Sequence, residues 1–368
     1  MNKKSNTAIK CFFLAIILTL FIYNCARKSN VSVSDSSVKD SANSSTKLPF
    51  LNFKFNKVAE KDTISDSLIN VSINLVGDLM CHKPQMNNAK KDDSTYDFNP
   101  SFQYVKPYLQ DADYTIGNLE TTFAGNKVPF AGYPAFNSPD AFATALKNAG
   151  FDMLVTANNH SMDTQEKGMM RTLKIIKQNQ LDYTGTFISE SDSRDVRIVD
   201  IKGLKLAVLN YTYGTNGSYP TKKHKFMLNV IDSVKVINEI KLAKRQGADA
   251  VLVYYHFGLE NERDITKAQK NAVEWAKNAG ALLIIGAHPH VVGKTKFTVL
   301  DTITNDSCFI AYSLGNFISN QYWRYTDAGV MLSINLIKNK LRNKIAIKNV
   351  EYLPTWVYRG QNAKRKQH

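Results

Sequence analysis

The chain has 368 residues, 43% of them hydrophobic and 11% aromatic, and its formal net charge at pH 7 is +15. This length and composition exclude a disordered chain and allow one large or two modest globular domains. The positive charge favours anionic partners such as lipid headgroups, phosphorylated glycans or polyacids, although lysines that only keep a surface soluble would give the same charge.

Residues 1–24 have the pattern of a signal peptide. Lys3, Lys4 and Lys10 precede a short apolar run over residues 11–23, and Cys25 stands where a lipoprotein signal is cut and the cysteine acylated. Because the run is short for a permanent membrane-spanning helix, we predict a lipid-anchored, extracytoplasmic protein of the cell envelope. The residues before Cys25 match the lipoprotein pattern loosely, so an uncleaved N-terminal anchor is the alternative.

The rest of the chain divides by composition into three parts. Residues 25–66 are rich in Ser, Asn, Lys and Asp, which predicts a flexible tether. Residues 67–360 have globular composition, and residues 361–368 form a basic tail. Nucleic acid is not an expected partner outside the cytoplasm. Cys81 and Cys308 are the cysteines of the globular part, and their apolar contexts favour buried free thiols over a disulfide.

Residues 67–360 alternate between short apolar runs and amphipathic stretches, which predicts one α/β domain. The predicted strands cover residues 71–78, 112–120, 151–157, 204–211, 250–255, 281–285, 308–312, 330–336 and 345–352. The predicted helices cover residues 138–149, 167–179 and 231–246, and a further helix runs through Trp275. For the first helix we predict Ser138 as the N-cap, Pro139 as the first helical residue and Gly150 as the end.

Polar residues stand at the carboxyl ends of five predicted strands. These strand-end residues are Asp78, Glu120, Asn159 with His160, His256, and His288 with His290. Each alone has an ordinary explanation, such as a helix cap or a core histidine. Together they occupy the edge where open α/β sheets bind ligands. Carboxylate, amide and imidazole groups suit Mn²⁺, Zn²⁺ or Fe, so we predict a site for one or two divalent ions.

Six motifs in order resemble those of the CapA/PgsA family of poly-γ-glutamate capsule biosynthesis proteins, a branch of the calcineurin-like metallophosphoesterase superfamily. They are GDLM at 77–80, GNLE at 117–120, NNHSMD at 158–163, HFGLE at 256–260, GAHPH at 286–290 and YSLGNF at 312–317. The resemblance covers about residues 73–356. It implies a four-layer α/β/β/α sandwich of the metallophosphoesterase type, with the site at the strand ends.

The resemblance also implies roles for the strand-end residues. The implied metal ligands are Asp78, Glu120 as the bridging carboxylate, Asn159, His256, His288 and His290. His160 would protonate a leaving oxygen while water activated by the metal attacks a phosphoryl or other ester centre, and Asp163 would orient its ring. The superfamily's Asp-x-His is Asp78-Leu79-Met80 here, which removes one imidazole, and Glu120 replaces an aspartate.

Further residues are candidates for substrate binding. They are Asn118, Tyr133, Asn137, Glu260 and Asn316, with His82 and Lys83 as other possible contacts of an anionic substrate or ordinary loop residues. Tyr133, Phe136 and Asn137 would form a pocket wall or pack against their own loop. Glu260 would serve as an additional acid or base.

Three functions follow as hypotheses. The first is a lipid-anchored protein that handles an anionic polymer, such as poly-γ-glutamate or a phosphorylated surface glycan, together with capsule-synthesis partners. The second is a metal-dependent hydrolase of an anionic surface substrate. The third is a binding or scaffold protein without turnover, which Met80 in place of a histidine favours.

Overall fold

The computed structural model describes residues 51–53, 67–301 and 306–359. They belong to a unit that spans residues 47–368. The predicted signal peptide, Cys25, most of the predicted tether and the basic tail lie outside the described residues. The exception in the tether is Leu51–Phe53, which forms a strand. None of the helices in the described ranges has the length and apolar character needed to cross a bilayer.

Two β-sheets and flanking helices make up the described part of the chain. The strands are β1 (Leu51–Phe53), β2 (Leu68–Leu79), β3 (Tyr114–Leu119), β4 (Met153–Val155), β5 (Asp182–Thr184), β6 (Ile198–Ile201), β7 (Leu204–Thr212), β8 (Ala250–His256), β9 (Leu283–Ala287), β10 (Thr295–Asp301), β11 (Asp306–Ala311), β12 (Asn316–Ile318), β13 (Ala328–Asn339) and β14 (Lys344–Trp356). The α-helices are α1 (Lys83–Ala89), α2 (Lys106–Leu109), α3 (Ala141–Ala149), α4 (Gln165–Gln178), α5 (Glu190–Arg194), α6 (Ser233–Arg245) and α7 (Lys267–Ala279). Short 3₁₀ helices cover Asn99–Phe102 and Lys222–Met227.

The first sheet has the strand order β1-β14-β13-β2-β3-β4-β5, and β12 also pairs with β2. Its strands β2, β3, β4 and β5 run parallel. The second sheet has the order β10-β11-β9-β8-β7-β6, in which β7, β8, β9 and β11 run parallel. Each sheet therefore gathers the carboxyl ends of its parallel strands at one edge.

Three hydrophobic clusters separate four layers. The middle cluster joins the two sheets, with Ile73 of β2 and Leu252 of β8 among its members. A second cluster packs the outer face of the first sheet against α3 and α4, and the third packs the second sheet against α6 and α7. Alternate residues of β8 belong to different clusters, as the period of two in a strand requires. The predicted four-layer α/β/β/α sandwich is confirmed.

The helix predicted to begin at Pro139 begins later, at Ala141, with Asp140 as the N-cap. Ser138 is engaged elsewhere, because its Oγ lies 2.6 Å from Oγ1 of Thr121 and its N–H donates to the carbonyl of Thr122. The predicted end is confirmed: Gly150 follows the helix with a φ of +114°, a conformation that glycine adopts without strain.

The two cysteines of the described residues are free and buried, as predicted. Burial raises the pKa of each thiol to about 12. Cys81 and Cys308 therefore behave as small apolar core residues at neutral pH.

Candidate metal centre

Asp78, at the end of β2, lies between two asparagines of neighbouring strands. Asn118 of β3 and Asn316 of β12 are its partners in the sheet register. Asn118 donates from Nδ2 to Oδ1 of Asp78 at 2.8 Å. A Cβ atom on Gly77 would lie 1.9 Å from the carbonyl oxygen of Gly315, so only glycine lets β12 approach β2 here. This close approach fixes the position of the Asp78 carboxylate.

The second sheet supplies three histidines to the same edge. His256 ends β8, and His288 and His290 directly follow β9. His290 places Nδ1 3.0 Å from Oδ2 of Asp78 and 3.0 Å from Oδ1 of Asn316. Both His288 and His290 have positive φ angles, +96° and +59°. Such strained backbone persists where the surrounding structure imposes it, and it clusters at functional sites.

Glu120 is fully buried and lies among these histidines. Its Oε1 is 3.6 Å from Nε2 of His256 and 4.0 Å from Nε2 of His290. Neither Glu120 oxygen has a hydrogen-bond partner among the described residues, and the same holds for Nδ1 of His288. An unpaired buried polar atom costs roughly 1–3 kcal/mol. Buried oxygen and nitrogen atoms without hydrogen-bond partners, on side chains that lie close together, are available to bind a metal, so these residues fit a divalent ion.

The acidic and imidazole groups form overlapping clusters that can hold a metal ion. One contains Glu120, His256 and His288, and another contains Asp78, Glu120 and His290. Within each cluster the candidate ligand atoms lie within 4.8 Å of one another. Glu120 belongs to both clusters. The exposed Glu260 forms a third cluster with His288 and His290.

Burial and mutual charge set the protonation of these groups. Burial raises the pKa of Glu120 well above its usual value, and the charge of Asp78 adds to this effect. Burial also opposes the charged forms of Asp78 and His290, but their contact outweighs it, so the pKa of Asp78 is lowered and that of His290 is raised. Asp78 and His290 thus each favour the charged form of the other when no metal is bound.

The two other histidines are neutral at pH 7. Burial lowers the pKa of His256 well below its usual value, and it lowers the pKa of His288 to about 3, with the charge of His290 acting in the same direction. Neutral imidazole is the form that binds metal ions.

His160 lies beside this cluster and contacts Asp163. Nδ1 of His160 is 2.7 Å from Oδ2 of Asp163, and the same oxygen accepts the N–H of Phe136 at 2.6 Å. The Phe136 ring meets the His160 ring edge to face, with centroids 4.7 Å apart. The preceding residue, Asn159, places Oδ1 2.8 Å from Nε2 of His256. Asp163 and Phe136 therefore fix the position of the His160 ring from two sides.

The loop after β7 contributes two residues that the sequence did not single out. The backbone N–H of Asn216 donates to the carbonyl of Asn159 at 3.0 Å, and its Nδ2 lies 3.3 Å from Nε2 of His160. The ring of Tyr213, 45% exposed, lies 4.7 Å from that of His288. Tyr213 directly follows the parallel strand β7. A search of the residues that follow this strand, as was done for the other strands, would have found it.

His82 also lies at this edge. Its Nδ1 accepts the N–H of Asn320 at 3.1 Å. Burial lowers its pKa to about 4, and the charges of His290 and His160 lower it further. Met80 is buried, and its N–H donates to the carbonyl of Ile318. His82 is thus partly buried and lies near the histidines of the site.

The three asparagines predicted to bind substrate also have hydrogen-bond partners within the protein. Asn118 hydrogen-bonds to Asp78 and His256, and Asn316 to His290, Gln321 and Thr326. Asn137 bonds to Ala124, Gly125 and Val128 of its own loop. All three are buried and hold protein groups in position, and their contact with substrate stays a prediction. Tyr133 is 75% exposed, and none of the hydrogen bonds or ring contacts among the described residues joins it to the cluster.

Comparison with known proteins identifies relatives. Residues 72–321 match the family described as bacterial capsule synthesis protein PGA_cap. The chain is 30% identical over 276 residues to the capsule biosynthesis protein CapA of Bacillus anthracis, which is 73% of this chain and 64% of that protein, slightly less than two thirds of its length. It is 30% identical over 282 residues to the PGA biosynthesis protein CapA of Bacillus subtilis (strain 168), which is 75% of this chain and 70% of that protein.

Solved structures also resemble this chain. The crystal structure of a phosphatase from Mycoplasma pneumoniae aligns with a TM-score of 0.46 and 15% identity, over 78% of this chain and 94% of that one. The calcineurin-like phosphoesterase YfkN from Bacillus subtilis aligns with a TM-score of 0.44 and 12% identity, over 79% and 91%.

Proposed function

The chain belongs to the bacterial capsule synthesis protein family PGA_cap, and on that premise we propose that it acts in the synthesis or export of a capsule polymer of the poly-γ-glutamate type. The observation that carries the proposal is the match over residues 72–321, which includes every residue of the candidate metal centre. Two relatives bear names that state capsule or PGA biosynthesis. The net charge of +15 suits a polyacid partner.

The proposed location is the cell envelope, outside the cytoplasm. The signal peptide pattern of residues 1–24 supports it, and Cys25 would carry the lipid that anchors the chain to a membrane. The polymer, or a phosphorylated surface glycan, and other capsule-synthesis proteins would be its partners.

The proposed cofactor is one or two divalent ions, Mn, Zn or Fe. Asp78, Glu120, Asn159, His256, His288 and His290 would hold it, and the unpaired oxygens of Glu120 support this assignment. A bound ion would polarise a phosphoryl or carbonyl oxygen and lower the pKa of water. Because Asp163 occupies Nδ1 of His160, Nε2 is the atom at which His160 would hold or release a proton.

A second candidate function is hydrolysis of an ester in an anionic surface substrate. The contact between His160 and Asp163 favours it, because an oriented imidazole beside a metal site is suited to proton transfer. The buried Met80, where the superfamily has a histidine, favours instead a protein that binds without turnover. Assays of phosphatase and phosphodiesterase activity with Mn²⁺, Zn²⁺ and Fe added separate these two, since a scaffold shows no turnover.

A deletion strain tests the proposed role. We expect the strain to lose surface polymer and to regain it when the wild-type gene is restored, whereas His288→Ala restores little or none. Surface polymer that stays at the wild-type level in the deletion strain would contradict the proposal. A neighbouring gene for an amide ligase of the Mur-ligase type would point to polyglutamate as the polymer.

A further inference from the structure

Two loops beside the candidate metal centre carry exposed arginine and aromatic side chains. The residues are Arg263, Tyr322, Trp323, Arg324 and Tyr325, which together we call the arginine rim. We propose that the arginine rim binds a chain with regularly repeated carboxylates and leads it to the metal centre. This inference rests on the proposed function, because it names the surface that would recognise the polymer.

The two arginines stack on one aromatic ring. The guanidinium carbon of Arg263 lies 4.4 Å from the ring centre of Tyr325, and that of Arg324 lies 4.8 Å from it. Tyr325 has a φ of +74°, a conformation unusual for a tyrosine. Stacking holds both guanidinium groups in place before a ligand arrives, which reduces the entropy lost on binding.

Neither arginine of the rim forms an ion pair with a carboxylate in the described parts of the chain. Elsewhere Arg171, Arg194 and Arg197 each pair with an acidic side chain. An anion beside the Tyr325 ring would be attracted by both positive charges. Guanidinium is planar and binds carboxylates through two parallel hydrogen bonds. The rim is therefore preorganised for carboxylates.

The aromatic side chains provide an apolar surface next to these charges. Tyr322 and Trp323 stack with centroids 5.4 Å apart, and their exposed fractions are 54% and 55%. Tyr325 is 44% exposed. Contiguous exposed aromatic rings mark interaction sites on soluble proteins. The methylene groups of a polyglutamate chain would pack on these rings while its carboxylates meet the arginines.

Both loops of the rim begin at the candidate metal centre. Gln321, directly before Tyr322, accepts a hydrogen bond from Asn316 at 2.8 Å. In the other loop, Glu260 stands three residues before Arg263 and belongs to a cluster with His288 and His290. A polymer on the rim would thus lie next to the metal centre.

The arginine rim is better suited to a polycarboxylate chain than to a membrane surface. Anionic membranes attract clusters of four to eight basic residues, mostly in polybasic segments, whereas the rim has two arginines locked on a ring. The test includes polyphosphate and anionic lipid as competitors, to distinguish these anions from a polycarboxylate.

The test measures binding of fluorescein-labelled poly-γ-glutamate to the full chain in detergent, by fluorescence anisotropy. The rim variant is Arg263→Gln with Arg324→Gln. The control is Arg194→Gln with Arg245→Gln, which removes the same two charges from exposed positions on α5 and α6. We expect at least about a tenfold loss of affinity in the rim variant, and less than about a twofold loss in the control.

Three results would overturn the proposal: no binding by the wild-type chain, equal losses in rim variant and control, or stronger displacement by polyphosphate or anionic vesicles than by unlabelled poly-γ-glutamate. Metal content is measured on the same samples, and the rim variant should keep the wild-type value. A failure of the rim proposal can thus be distinguished from a failure of the proposed function. The deletion strain tests the proposed function without reference to the rim.

Discussion

Oδ2 of Asp78 lies 3.0 Å from Nδ1 of His290, and this contact joins the two sheets at the edge where their parallel strands end. Asp78 belongs to β2 of the first sheet, and His290 follows β9 of the second. The contact raises the pKa of His290 against the effect of burial. The candidate metal centre therefore forms where the two sheets pack against each other.

Replacing Asp78 with Asn should reduce metal affinity at least about tenfold, because one anionic ligand and the partner of His290 are lost together. Metal content by mass spectrometry, with thermal unfolding of the same samples, measures the effect. Asp92→Asn, an exposed acid outside the ligand clusters, is the control. Wild-type metal content in Asp78→Asn would remove Asp78 from the ligand set.

Replacing Glu120 with Gln should have opposite effects with and without metal. Without metal we expect the free energy of unfolding at pH 7 to rise by on the order of 1 kcal/mol, because burial raises the pKa of Glu120, and this cost to its ionisation is absent for a neutral amide. With Mn²⁺ or Zn²⁺ added, the wild-type chain should gain stability and the variant should gain little. Chemical denaturation under both conditions provides the measurement. An equal gain in both chains is the result that contradicts a role for Glu120 in binding.

Replacing Asp163 with Ala should destabilise the chain by roughly 1–3 kcal/mol, because His160 and the Phe136 N–H lose a buried hydrogen-bond partner. Urea unfolding measures this change. Asp195→Ala serves as the control, since the Asp195 side chain is 71% exposed and its pairing with Arg197 is worth little. Equal stabilities of the two variants would show that Asp163 does not hold this loop.

Glu166 should make the loop that carries Tyr213 and Asn216 sensitive to pH. Its carboxylate accepts the N–H of Thr221 and contacts Nδ1 of His224, both at 2.7 Å, and these bonds, that of Thr221 first, lower its pKa below the ordinary 4.5. Stability from a carboxylate with a lowered pKa is present above its ordinary pKa and is lost as the pH falls through the lowered value.

We therefore expect hydrogen exchange of the Thr221 amide, corrected for its intrinsic rate, to be protected at pH 6 and less protected below the lowered pKa of Glu166. Glu166→Gln should show weaker protection at pH 6 already. Protection that is the same in both chains and at both pH values would mean that Glu166 does not anchor the loop.

The strand-end residues could be predicted from sequence because both signals are local. An apolar run such as residues 281–285 reports burial on both faces of a strand, and the polar residue that follows it marks the edge. The structure places β9 at Leu283–Ala287, within two residues of the prediction. Parallel pairing of β7, β8 and β9 then brings their ends together without further information.

Other parts of the site depend on contacts that a local pattern does not report. β12 has three residues, and Asn316 lies next to Asp78 only because Gly77 leaves room for the carbonyl of Gly315. The hydrogen bond from Asn118 to Asp78 depends on the register of β3 against β2, which the sequence does not report. Asn216 reaches His160 through the path of a loop, which no periodicity describes.

The central claim is that the strand ends form a metal-binding centre, and the metal content of the purified full chain tests it most directly. After incubation with Mn²⁺, Zn²⁺ or Fe and removal of free metal, the wild-type chain and His224→Ala should retain about one ion or more per chain, and His288→Ala should lose it. His224 is the matched control, because it pairs with Glu166 outside the ligand clusters. A wild-type chain without metal, or His288→Ala with wild-type content, would contradict the claim.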